Sequence, residues 1–303
     1  MVGDQRGISR RQFLMATAAG AAIGLIGRPA FLNAAEEPEL VVISGEPEAA
    51  TRKALEVLGG ISRFVKQGQR VIIKPNMSFA KSPDFAATTH PLVVVAVARA
   101  CIEAGAQEVL VLDHTLQRAE LCLERTGIRD ACKQQVPSVH VLALQDRKFF
   151  QEIKIPQGKV LTRVEVLKDI LDNAVLINVP VAKHHSLSRL TLGMKNIMGV
   201  IGGHRGEIHF SIGQRLADLN TVLRPTLTVI DATRILLRNG PVGGNLADVK
   251  TLDTLMASTD PVAADAYATT LFDLKPEDIA STCAAYKAGL GEMDLKKVRV
   301  LKV

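Results

Sequence analysis

Arg70-Val71-Ile72-Ile73-Lys74-Pro75-Asn76 and Ala174-Val175-Leu176-Ile177-Asn178-Val179-Pro180 are the two runs that decide the fold. Each has a short continuous apolar stretch (71–73 and 174–177), is rich in β-branched residues and meets a proline within a few positions. A strand with one face in water alternates apolar and polar residues, whereas a strand covered on both faces does not. The two runs therefore predict a mostly parallel or mixed sheet with helices on both faces, an α/β fold. Outward from them, strand and helix signals alternate. Residues 40–43, 108–113, 138–144, 227–230 and 298–303 read as further strands. Helices are expected at 47–65, 91–104, 128–133, 165–171, 212–223, 261–272 and 276–288. In the first of these Ala54, Leu55, Leu58, Ile61 and Val65 fall at helical spacing. Thr89 or His90 offers a cap to the second, with Pro91 at a tolerated early position. No repeat is visible, and a subdomain boundary is only weakly marked near 145–165.

Composition narrows the function. The 303 residues suffice for one large domain or two small ones with a sizeable core. With 47% hydrophobic and 22% charged residues, the chain is globular in character. No apolar run reaches the roughly 18 residues of a membrane span. The net charge of +6 is split evenly. Residues 1–35 carry Arg6, Arg10, Arg11 and Arg28 against Asp4, and everything beyond them has a surplus of only three. That is no footprint for nucleic acid. Without Trp, and with 9 Phe and 2 Tyr, the chain is poorly equipped to stack bases or sugars. A small-molecule partner is the class that remains.

Ser9-Arg10-Arg11-Gln12-Phe13-Leu14 precedes an uncharged, Ala- and Gly-rich stretch from Met15 to Ile26, and small residues follow at Ala34 and Ala35. This order resembles a twin-arginine export signal over 1–35, ahead of an α/β domain at 36–303. An amphipathic first helix is the structural alternative. The resemblance implies passage through the twin-arginine translocase to a periplasmic or other extracytoplasmic location. It also implies export in the folded state, which suits a cofactor or metal site without requiring one. Cys101, Cys122, Cys132 and Cys283 form no C-x-x-C pair, so no iron–sulfur or zinc signature is present. Cys122 and Cys132, ten apart, could pair in an oxidising compartment or stay free thiols.

Open α/β sheets bind ligands beyond the carboxyl ends of their strands. Here those ends read Lys74-Pro75-Asn76, Asp113-His114, Asn178-Val179-Pro180 with Lys183-His184-His185, and Asp231. The densest stretch continues through Gly193-Met194-Lys195-Asn196-Ile197-Met198-Gly199 to Gly202-Gly203-His204-Arg205 and His209. Glycines let a backbone approach a ligand closely. Lys183, Lys195 and Arg205 could neutralise an anion, and neutral His moves protons or ligates metals near pH 7. The histidine spacing matches no metal signature, so a divalent metal stays open and the cofactor unknown. A solvated basic loop is the bland alternative. Asp218 reads as a surface ion pair or a site carboxylate, Asp260 as a helix cap, and Asp265 as equally able to face solvent or a polar site.

The blocks Asn178-Val179-Pro180, Lys183-His184-His185 and Thr191-Leu192-Gly193-Met194-Lys195-Asn196-Ile197-Met198-Gly199 resemble the core of the family called domain of unknown function 362. Val71–Asn76, Ala217-Asp218-Leu219-Asn220, residues 227–232, Gly240-Pro241 with Gly243-Gly244, and residues 259–265 extend the resemblance over roughly 70–300. Some members carry four-cysteine ferredoxin motifs, which this chain lacks, so no iron–sulfur role is carried over. The family lends no settled activity. It is similar, remotely, to the N-terminal part of nickel-dependent lactate racemases, from which no residue is carried over.

These features lead to two functional expectations. The first is an enzyme acting on a small anionic substrate, with proton transfer beside a carbonyl as its chemistry. Lys74, Asn76, Lys183 and Asn196 would bind the anion. Lys195 or a histidine (His184, His185, His204 or His209) would serve as acid or base. Asp231 or Asp265 would orient that histidine or join a metal. The second is a non-catalytic extracytoplasmic ligand- or metal-binding protein serving a redox or transport system. A scaffold, by contrast, would scatter these polar groups over its surface.

Overall fold

The computed structural model describes residues 39–303, so the export-signal reading at 1–35 lies outside the described residues. Twelve strands occur among them: β1 (Leu40–Ser44), β2 (Arg70–Pro75), β3 (Glu108–Asp113), β4 (His140–Ala143), β5 (Phe150–Lys154), β6 (Arg163–Leu167), β7 (Val175–Val179), β8 (Val181–His185), β9 (Arg189–Thr191), β10 (Leu227–Leu236), β11 (Val249–Ser258) and β12 (Val300–Lys302). The main sheet runs β12-β1-β11-β10-β7-β2-β3-β4, with β8 paired to β10 and β9 to β8. From β10 to β4 the neighbours are parallel. β11 is antiparallel to both β10 and β1, which makes the sheet mixed.

Successive strand residues feed opposite faces, as the pleat dictates. Val71 and Ile73, Val109 and Val111, and Val175 and Ile177 enter one core with the helices Pro47–Val57, Pro91–Glu103 and Ile128–Gln135. Ile72, Leu110, Leu112 and Leu176 enter a second core, with the helix Ile212–Val222 and the small antiparallel sheet β5–β6. Burial on both faces is why the runs of β2, β3 and β7 show no alternation. The expected α/β architecture is the one observed. The stretch 145–165, read as a weak boundary, holds β5 and the start of β6, whose Phe150, Val164 and Val166 pack into that second core.

Several strands differ from expectation. Residues 165–171 were expected to be helical, but 163–167 form β6, and a single helical turn follows at Lys168–Leu171. The pairing of β6 with β5 supplies hydrogen bonds that a helix this short cannot match. β5, β8, β9 and β11 were not expected as strands, and β11 is the longest of them. Its outer half is exposed and polar, and it is held by the long β10–β11 pairing rather than by its own pattern.

The capping expectations are met. His90 caps Pro91–Glu103 through Nδ1, which accepts from Leu92 N at 3.2 Å. Asp260 caps Pro261–Thr270 by accepting from Val262 N and Ala263 N. The four cysteines are free thiols, three of them buried, and burial pushes Cys101 and Cys132 up to about 12.

Candidate functional site

The site lies where the strand order turns. β3 and β4 follow on one side of β2, and β7 lies on its other side. The crevice beyond the ends of β2 and β7 is thus a topological switch point, where sheets of this kind bind ligands. A cavity of about 100 Å³ sits there, room for several waters or a small organic acid. Its lining includes Lys74, Lys183, Lys195 and Arg205, with His185 and His209, and contains no Asp or Glu.

Each cation is held differently. Lys74, at the end of β2, is buried and forms an ion pair with the equally buried Asp113 at 3.0 Å. It also donates to Asn196 Oδ1 at 3.2 Å and to its neighbour Pro75 O. Asp113 ends β3, and its second oxygen accepts from Met77 N and Ser78 Oγ. Burial lowers the Lys74 pKa from its ordinary value, and Asp113 opposes that shift. Among the described residues Arg205 has no carboxylate partner. It donates to His114 O at 2.5 Å and Thr115 O at 3.0 Å, which leaves its charge unneutralised. Lys195 approaches Met198 Sδ at 3.6 Å, and burial followed by Arg205 lowers its pKa to about 8. Lys183 is fully buried, donates to Ala87 O and lies 3.5 Å from Asn76 Oδ1. Burial, then Lys195 and Lys74, hold its pKa well below the ordinary lysine value.

Strand alternation sorts the histidine pair. Lys183 and His185 are two apart on β8 and both line the cavity, while His184 between them points away and accepts from Gly240 N at 3.1 Å. His185 Nδ1 accepts from Leu187 N at 3.1 Å and Ser188 N at 3.4 Å, so its hydrogen is on Nε2. Burial, then Lys195, push its pKa down to about 3, and it stays neutral at physiological pH. His209 stacks on it with ring centroids 5.7 Å apart. His209 Nδ1 is 3.0 Å from Gly206 O and must donate there, so its Nε2 presents a lone pair. One ring is therefore set as a hydrogen-bond donor and the other as a proton acceptor.

The loop that carries Lys195 is pinned by buried polar contacts. Asn196 Nδ2 donates to Asn178 Oδ1 at 2.8 Å and to Lys74 O at 3.1 Å, and Asn178 Nδ2 donates to Gly193 O at 2.8 Å. His114 N donates to Gly199 O at 2.7 Å. Gly199 must be glycine on space alone, because a Cβ would fall on Asp113 Oδ1 and on Lys74 Cε and Nζ. Gly199 thus serves packing against the ion pair.

Of the residues singled out from sequence, Lys74, Asn76, Lys183, His185, Lys195, Asn196 and His209 share the cavity. His184, His204, Asp231 and Asp265 do not line it. His204 is exposed in a separate open cleft with His114, Glu165 and Arg147. Asp231 does not orient a histidine ring. Its oxygens accept from His90 N at 2.7 Å, Thr233 N at 3.0 Å and Thr233 Oγ1 at 2.7 Å. Asp265 accepts from Gly193 N at 2.7 Å and Met194 N at 3.0 Å, and so anchors the start of the Lys195 loop from below. Asp218 is neither a surface pair nor a site group: it ties Val160 N and Leu161 N to the helix Ile212–Val222. The carboxylate that compensates the cavity is Asp113, whose strand-end position was the available signal. Arg205, expected with Lys183 and Lys195 to neutralise an anion, is part of the lining as well.

Among the described residues no group of three or more His, Cys, Asp or Glu side chains could hold a metal ion. The lining is cationic, which disfavours a bare divalent metal, so no step is derived through one. No helix of the described residues is long and apolar enough to cross a membrane.

The chain is 28% identical over 255 residues to the Thylakoid-associated protein sll1697 of Synechocystis sp., covering 82% of this chain and 76% of that protein. Among solved structures it is similar to the lactate racemase apoprotein from Thermoanaerobacterium thermosaccharolyticum, at 12% identity and a TM-score of 0.48 over 74% of this chain and 55% of that one. A Thermotoga maritima protein gives 11% identity and a TM-score of 0.40 over 62% and 51%. The chain thus spans about half the length of these two structures. A family model matches residues 71–270, from the start of β2 to the end of the helix that bears Asp265, and with two thirds of its length so matched the chain belongs to the family described as Domain of unknown function (DUF362).

Proposed function

We propose that this protein binds a small organic anion at the switch-point cavity and catalyses proton transfer on it. The observation that carries the reading is the convergence of Lys74, Lys183, Lys195 and Arg205 on one cavity with no acid in its lining. Gathering like charges costs stability unless an anion sits between them. Lys195 and Arg205 hold the anion, with Asn196 and the His185 Nε2 hydrogen as further donors. A Lys195 that titrates near 8 and a His209 with a bare Nε2 are suited to give and take protons near neutral pH. The backbone orients both histidines, in place of the carboxylate that the sequence led us to expect.

The twin-arginine motif supports export in the folded state to an extracytoplasmic location, and the thylakoid-associated relative is compatible with that placement. The catalytic reading is tested by proton NMR in heavy water. Small 2-oxo, 2-hydroxy and dicarboxylic acids are incubated with the protein, and loss of the carbon-bound hydrogen beside the carboxylate or carbonyl is followed. Exchange with at least one class, abolished when Lys195 and His209 are both replaced by Ala, is the expected outcome. Binding without exchange in any class would leave the non-catalytic binding protein as the better reading.

A further inference from the structure

Resting on the anion-site reading, we infer that Lys183 is a covalent residue whose Nζ condenses with the carbonyl carbon of a small 2-oxo acid to form an imine. Lys183 lies at the wall of the cavity with its side chain fully buried, and no carboxylate of the described residues pairs with it. Its polar contacts are Ala87 O and, at 3.5 Å, Asn76 Oδ1. Phe79 closes another side, with its ring centroid 4.6 Å from Nζ. A neutral amine has two N–H groups and one lone pair. The two acceptors account for the N–H groups, and the lone pair remains for the cavity. Burial beside other cations is what makes a lysine a nucleophile rather than a point charge. The pKa shift of Lys183 runs the same way, with Lys195 and Lys74 as its charged causes.

The surroundings fit both ends of such a substrate. Arg205 and Lys195 supply cations for the carboxylate, while Lys183 waits at the inner wall for the carbonyl. Nζ attacks the 2-oxo carbon and the N–C bond forms. The carbonyl electron pair moves to oxygen, which takes a proton. A second proton passes from the attacking nitrogen to that oxygen, so that as the C–O bond breaks water leaves, the nitrogen lone pair forms the C=N bond, and the product is a protonated imine. The net change is one amine, one 2-oxo acid and one proton giving one iminium and one water. The proton comes from the Lys195 ammonium, which titrates near 8. An iminium withdraws electrons from the adjacent carbon more strongly than the ketone does, so it assists the proton transfer proposed above.

The test is reductive trapping on the wild-type protein. Pyruvate, and separately glyoxylate, are added with sodium borohydride, and the digest is mapped by mass spectrometry. The Lys183 peptide should gain the mass of pyruvic acid less one oxygen atom, far ahead of every surface lysine. Lys183→Met should lose that label, and Lys195→Ala should label more slowly. Uniform low labelling of all lysines, or label confined to Lys195, overturns the assignment. Anion-dependent stabilisation measured on the same preparation separates the two readings: if it is present without trapping, only the imine falls, and if both are absent, the anion site falls with it.

Discussion

Adding a small dianion should stabilise the wild-type protein, and removing the Lys195 charge should weaken that effect. A ligand that binds only the folded state contributes RT ln(1 + [L]/Kd), or about 2.7 kcal/mol at a hundredfold excess over Kd. For a chain of this size each kcal/mol moves Tm by about 2–4 °C, so saturating phosphate, sulfate or malonate should raise Tm by about 5–10 °C. A hydrogen bond to a charged group contributes about 1.5–3 kcal/mol, so Lys195→Ala should weaken binding roughly tenfold to a hundredfold. At the same anion concentration the remaining stabilisation is then about 0.4–1.4 kcal/mol. Without ligand the variant should be no less stable than wild type, because Lys195 has no carboxylate partner among the described residues and faces Arg205.

Two controls follow from the physics. Screening lengths fall from about 10 Å at 0.1 M salt to about 3 Å at 1 M, so potassium chloride should blunt the effect. Lys195 is cationic below its pKa of about 8, so anion stabilisation should also fade as pH rises from 7 to 9. Differential scanning fluorimetry against matched ionic strength reads all of this. Equal Tm shifts in wild type and Lys195→Ala would show that Lys195 is ordinary surface and would leave the anion site without its centre.

Asp113→Asn leaves Lys74 buried without its charge partner and should cost about 3 kcal/mol or more in denaturant unfolding; an unchanged midpoint would contradict the pairing. Gly199→Ala pushes a methyl group into that pair and should cost about 1–3 kcal/mol, and a Tm equal to wild type would show that the loop can yield. Asp265 has its pKa raised by burial to about 7, opposed by the bonds from Met194 N and Gly193 N. Its contribution to stability, on the order of a few kcal/mol, is full below about 4 and lost as pH rises through 7. Histidines with depressed pKa values run the opposite way, so Tm is compared between wild type and Asp265→Asn across that window, where identical slopes would refute the assignment. Replacing both Arg10 and Arg11 with Lys should hold precursor in the cytoplasm, as read by fractionation and immunoblot, and normal export would rule out the twin-arginine reading.

The fold was legible because burial on both faces leaves a mark that needs no partner information. Val71, Ile72 and Ile73 are apolar in a row because each face of β2 has its own core. β11 and β6 were illegible because pairing with β10 and β5 holds them, and pairing leaves no mark in local composition. Strand ends pointed to Lys74, Lys183, Lys195 and Asn196 because an α/β sheet puts its crevice there. The same rule could not say which polar residues near those ends face inward. His184 and His185 are chemically identical in sequence, and only the path of β8 sends one to Gly240 and the other to the cavity.

The carboxylates were misjudged for a related reason. Asp231 and Asp265 look free at a strand end and in an alanine-rich helix, yet backbone amides claim both, because a buried carboxylate must have its oxygens satisfied. Asp113 carries the compensating role, since the end of β3 lies against the end of β2 across Gly199. A single acid then has to balance four cations, and it neutralises only Lys74. The structure answers the remainder by weakening charge rather than pairing it. Arg205 is spread over two carbonyls, Lys195 is brought down to about 8, and Lys183 is held well below the ordinary lysine value. In the proposed reading, shedding part of the charge is what lets these cations share one cavity, and an anion would restore it. The groups proposed to bind the ligand would then be the same groups that exchange protons with it.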